Sequence, residues 1–274
     1  MQQTKPDMRK LLSTTTLTAL LFFFSNLASA QTINNSADLE KFYTEFFNNR
    51  QSRDALVKGY CTESLYQAWK ASSSDEPFVF GGCDNYSGVQ IRQLPKDNQY
   101  LVLFGYWYFG ENDFRSREGV TISVENGKIN KVDHQAPLST SDLSGTKWRF
   151  VIRRLDQPND YYKISKNYYE FTNNEIINQR VDLKDAPSVP NPYYLTDTTP
   201  TKFDSSKVGT NTKGQYYVEK WGEDLLYFSI IYFNKEEGLM VLSDNIYIMN
   251  GKETRKEFFK PRDFPVNGPI QSVW

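Results

Sequence analysis

The chain predicts an α+β module, with helices on a curved antiparallel sheet, followed by an all-β antiparallel barrel. Three observations predict it. Helical periodicity occurs only before about residue 72. Short strand-like segments bounded by turn residues fill most of the rest. The composition shifts near residue 138, where a polar stretch separates two groups of strands.

The first thirty residues stand apart from both modules. Arg9 and Lys10 precede an apolar stretch over 17–24, and Ala28-Ser29-Ala30 closes it. A charged start, a short apolar core and a small-x-small end form the pattern of a cleaved signal peptide, with the cut expected after Ala30. Met8-Arg9-Lys10 is already a complete charged start. A spanning helix needs about 20 largely apolar residues, and Ser13, Thr14, Thr15, Thr16 and Thr18 make this one too short and too polar to anchor. A buried N-terminal helix is the alternative. The expected location is therefore the periplasm or the outside of the cell, with a soluble mature chain and no stable membrane anchor.

The first module is expected over 31–136. Leu39, Phe42, Tyr43, Phe46 and Phe47 recur at helical spacing and place five large side chains on one face. Ser36 is the expected N-cap, with Asp38 and Glu40 at the positive end of the helix dipole. A second helix is expected over 53–59 and a third over 62–70, the latter burying Leu65, Ala68 and Trp69. The run 72–77 breaks the pattern. Val89 and Ile91 then alternate with Gln90 and Arg92, and 100–109 is an aromatic run fit for a central strand. Strands over 119–125 and 128–134 flank Asn126-Gly127, a strong hairpin signal.

This order resembles the NTF2-like superfamily. The likeness rests on the amphipathic opening helix and on the closing pattern from Val120 through Asn126-Gly127 to Asp133. It implies a helical layer packed into a strongly curved sheet to form a cone. Some NTF2-like enzymes use an Asp or Tyr inside the cone, which makes Asp84, Tyr100, Tyr106 and Tyr108 the residues to examine. A structural tyrosine is the simpler reading of each.

A linker is expected over 137–143, the barrel over 144–262 and a C-terminal tail over 263–274. Strands are expected at 148–154, 168–172, 175–181, 215–221, 225–233, 239–242, 246–249 and 253–259. Residues 182–214 hold several prolines and are expected as a long loop over one end of the barrel. The entry Ser144-Gly145-Thr146-Lys147-Trp148-Arg149-Phe150 resembles that of the lipocalins. In that family a Gly-x-Trp opens the barrel, the Trp plugs the closed end and an Arg near the last strand covers it. The likeness implies structural roles for Gly145 and Trp148, with Arg255 or Arg262 as the covering cation. Gly145 and Trp148 are separated by two residues here, where the family has one.

The chemistry is more notable for what it excludes. The whole chain has a formal net charge of −1, and loss of 1–30 removes more basic than acidic residues. Such a chain lacks the basic field that nucleic acid requires. Its two cysteines, Cys61 and Cys83, are expected to pair in an oxidising compartment, which would contribute about 3 kcal/mol by restricting the unfolded chain; two buried thiols are the alternative. With one histidine and two separated cysteines, no zinc site is expected. No phosphate loop, nucleophile elbow or His-Glu-x-x-His occurs, so neither cofactor nor catalytic residue is expected. His134 sits at a strand end, and its neighbour Asp133 would point to the opposite face. Glu223-Asp224 and Glu236-Glu237 are expected as solvated turn charges. Asn34-Asn35-Ser36 and Asn85-Tyr86-Ser87 fit the N-glycosylation pattern, which matters only in a eukaryotic secretory pathway.

The chain has 18 Tyr, 19 Phe and 5 Trp, enough aromatic area either to pack sheets or to line a cavity. The function expected is non-catalytic binding of a small apolar or amphipathic ligand in the periplasm. One alternative is a protein-interaction role, as an inhibitor or immunity protein. Another is an NTF2-like enzyme using carboxylate or tyrosine acid–base groups.

Overall fold

The computed structural model describes residues 31–72, 78, 88–108, 113–153, 162–180, 189–243 and 245–249. The expected signal peptide, Cys83, Asp84, Arg255, Arg262, the second sequon, the 253–259 strand and the 263–274 tail lie outside these residues.

Helix α1, Ser36–Asn48, buries Leu39, Phe42, Tyr43 and Phe46 on the expected stripe. Fully burying each contributes about 1.5–3 kcal/mol, so this face is the main reason the segment is helical. The N-cap is Asn35, where Ser36 was expected. Asn35 is extended, and its side-chain oxygen accepts from Ala37 N at 2.8 Å and Asp38 N at 3.2 Å. Asp38 in turn accepts from Asn34 N at 2.8 Å. Helix α2 spans Arg53–Tyr60, and α3 spans Glu63–Ala71 behind a Thr62 cap. In α3 the buried residue is Tyr66, and Ala68 is exposed. Two residues on is 200° around a helix, so burying Tyr66 turns Ala68 outward.

The helices cover an antiparallel sheet in the order β1-β2-β3-β4: Gly88–Gln93, Gln99–Tyr108, Asp113–Glu125 and Lys128–Asp133. The third strand begins at Asp113, earlier than the expected 119, and pairs with the second out to Tyr108↔Asp113. Register shifts at Phe104/Gly105 and Ser123/Val124 break the ladder, and such bulges bend a sheet. The hairpin turn is as expected, with positive φ at both Asn126 and Gly127. Tyr100, Val102 and Phe104 pack under the helices. Leu101 and Leu103, on the opposite face, are fully buried as well.

A second, curled antiparallel sheet explains that second burial. Its strands are β6 Lys147–Arg153, β7 Tyr162–Phe171, β8 Glu175–Arg180, β9 Val189–Thr196, β11 Tyr216–Trp221, β12 Asp224–Asn234, β13 Leu239–Leu242 and β14 Asn245–Met249. Consecutive members pair in turn, β9 pairs with β11, and β14 pairs with β6 through Trp148, Arg149 and Phe150. The expected 182–214 loop gives way to strand β9 over Val189–Thr196. Its ladder with β11 begins at Tyr193, beyond Pro190 and Pro192, so the missing N–H groups break no bond on that side. Residues of the expected linker also carry structure: β5, Leu138–Ser139, pairs with β10, Lys213–Gly214, and α4 spans Thr140–Leu143.

The outer face of the curled sheet meets the first sheet. A Cβ on Gly119 would lie 2.6 Å from Ile231 Cγ2 and 2.8 Å from the Val102 carbonyl, so only glycine permits this approach. Gln135 Oε1 accepts from Phe233 N at 2.8 Å across the same seam. Glu237 breaks the expectation of a solvated turn charge: it is buried and paired with Arg92 of β1 at 2.7 Å. The turn after β12 packs on the first sheet, and that contact excludes water from the carboxylate. Glu236, Glu223 and Asp224 are exposed.

Candidate functional site

The inner face of the curled sheet has a sealed floor. Helix α4 is held by a capping box between Ser139 and Asp142 and buries Leu143. Gly145 follows at φ +75°, and its N–H donates to the Phe171 carbonyl at 2.8 Å. Phe171 N returns a bond to the Thr146 carbonyl at 2.9 Å. Trp148 is then fully buried beneath Leu138 and Leu143, with its ring 5.6 Å from that of Phe233. Its indole N–H donates to Thr146 Oγ1 at 2.7 Å, and that hydroxyl donates to the Leu143 carbonyl. One of the two residues between Gly145 and Trp148 therefore supplies the partner a buried indole needs.

Alternation along the strands directs Asn191, Tyr193, Tyr217, Glu219 and Phe228 onto this same inner face, as the register pairs Glu219↔Tyr193 and Tyr217↔Phe228 confirm. Glu219 is 8% exposed. Asn191 Nδ2 donates to its Oε1 at 2.6 Å, and the Tyr217 hydroxyl donates to its Oε2 at 2.7 Å. Burial pushes the Glu219 carboxyl above its ordinary range, and the two hydrogen bonds pull it partway back. Burial also raises Tyr193, Tyr217, Tyr169 and Tyr247, with the Glu219 charge adding to the last three. All four phenols thus stay protonated at ordinary pH.

Exposure grades along this wall. Trp148, Tyr193 and Tyr217 are sealed, whereas Tyr169, Phe228 and Tyr247 are only half-buried. At the far end Leu226, directly opposite Glu219, is 37% exposed and Trp221 is 48% exposed. β12 pairs with β13 only from Ile230 onward, so among the described residues its first half pairs with β11 alone. The arrangement is a closed aromatic floor, a half-accessible aromatic wall with one polar pair, and an apolar lip.

The other candidate residues do not converge. Tyr100 is buried in the first sheet's core, Tyr106 is half-buried, and the Tyr108 side chain lies outside the described residues. Cys61 is buried, and burial pushes its thiol up to about 12; its expected partner lies outside the described residues. Asp133 pairs with Lys131 at 2.9 Å. His134 lines a cleft of about 80 Å³ between the two sheets, beside Arg117, Glu118 and Gln215. Among the described residues, no group of three or more His, Cys, Asp or Glu could hold a metal, and no helix is long and apolar enough to cross a membrane.

Sequence reasoning missed Glu219, Asn191 and Glu237. For Glu219 a signal existed: Tyr217, Glu219 and Trp221 share one strand face, which sets a carboxylate inside an aromatic stripe. Family models, curated proteins and solved structures were all searched, and none matches this chain.

Proposed function

We propose that this chain is an exported, non-catalytic binding protein that holds a small apolar or amphipathic molecule inside a lipocalin-like barrel, next to an NTF2-like module. The half-accessible aromatic wall above the sealed Trp148 floor carries this reading. Sites for small molecules are concave, mostly apolar and equipped with a few placed polar groups, as Glu219 and Asn191 are here. The pairing of β14 with β6 supports closure of the curled sheet into a barrel, and α4 packed with Trp148 supports a closed end. The signal-peptide pattern over 1–30 supports export.

Native mass spectrometry of the chain purified from cells tests the reading. A small molecule retained in the gas phase and lost on denaturation is the expected result. A ligand-free mass, with no binding of any alkyl probe, contradicts it.

A second reading is a protein partner. Trp221, Leu226 and Tyr227 are exposed together on the β11–β12 hairpin, and aromatic residues dominate binding hot spots. A pull-down from periplasmic extract with the Trp221→Ala, Tyr227→Ala variant as control separates the two.

A further inference from the structure

We infer that the molecule held on this inner face carries a cationic head group, of the alkylammonium class, received by the Glu219 carboxylate. This rests on the binding reading above.

Glu219 is a carboxylate among aromatic rings, and the two groups that bond to it, Asn191 and Tyr217, are neutral. Among the described residues no cation pairs with it. A buried carboxylate without a counter-charge is costly, and neutral hydrogen bonds offset only part of the cost. A carboxylate offers about four lone-pair positions, of which two are taken here, so acceptor capacity remains for a ligand's N–H groups. The surroundings suit a cation as well. The half-buried Tyr169 and Tyr247 lie near enough to Glu219 to feel its charge, and aromatic ring faces attract ammonium groups. Leu226, opposite Glu219 on the other side, is partly exposed and apolar, which suits the alkyl part. An anionic head would meet the carboxylate with like charge, and a neutral head would leave it uncompensated.

The test is a calorimetric titration of the full chain lacking 1–30 with three probes of one tail length, each below its aggregation concentration: n-decylammonium, 1-decanol and decanoate. The expected result is that decylammonium binds at least about tenfold more tightly than either other probe, a difference of about 1.4 kcal/mol. In Glu219→Gln the three affinities should converge to within about twofold, with circular dichroism reporting the fold. Equal binding of decylammonium and decanol by the unmodified chain overturns the inference while leaving the binding reading intact. Preference for decanoate overturns it too. Failure of all three to bind overturns both. The comparison of probes on the unmodified chain decides the matter even where the variant fails to fold.

Discussion

Arg92 Nη2 lies 2.7 Å from Glu237 Oε1, and their side chains are 10% and 2% exposed. The pair joins β1 of the first sheet to the turn after β12 of the second. Tyr232 adds a hydroxyl bond to Glu237 Oε2 at 2.8 Å. A buried pair adds little over an apolar replacement, yet losing one member leaves a charge stranded. Arg92→Ala should therefore cost about 3–5 kcal/mol, and the double variant Arg92→Met, Glu237→Leu much less. Urea unfolding of both measures this; equal losses in the two would show that the pair itself is not what matters.

Glu219 makes stability depend on pH. Its carboxyl is raised by burial from an ordinary 4.5. Between the unfolded and the folded value, the folded chain holds more protons than the unfolded one. Stability contributed by the protonated form is complete below the unfolded value and is lost as pH rises through the folded value. Glu219→Gln should remove that decline. Urea midpoints followed upward from the ordinary carboxyl value read it out, and parallel curves for the two proteins would contradict it.

Thr146 should matter through Trp148. Thr146→Val keeps the side-chain shape but leaves the buried indole N–H without its 2.7 Å acceptor. A buried unpaired donor costs about 1–3 kcal/mol. Trp148→Phe removes the donor together with the need for it, so adding Thr146→Val to that background should cost measurably less. A double-mutant cycle by thermal unfolding checks this; an unchanged Thr146→Val penalty would refute the coupling.

The opening helix separates two candidate caps. Asn35→Ala should cost about 1 kcal/mol, because Asn35 satisfies two first-turn N–H groups. Ser36→Ala, inside the helix, should change stability by less than about 0.5 kcal/mol. The reverse ranking in chemical denaturation would restore Ser36 as the cap.

Elements set by local pattern were legible. The α1 stripe and the Asn126-Gly127 hairpin each follow from spacing or a turn residue and appear where expected. Features set by distant neighbours were not. Pro190 and Pro192 read as loop until the ladder with β11 is seen to start after them. Glu237 reads as a turn charge until Arg92, far away in sequence, is placed against it. The Glu219 site was hidden because its partner Asn191 comes from a strand taken for loop. The choice between Asn35 and Ser36 turns on backbone conformation, and both residue types favour the position.

The most direct test of the account is a crystal structure of the chain with 10-bromodecylammonium, located by the anomalous scattering of bromine. The predicted result is a bromine peak enclosed by the curled sheet, with the ammonium nitrogen within hydrogen-bond distance of Glu219. A peak confined to the outer surface or to the His134 cleft, with the inner face filled by side chains, would contradict it.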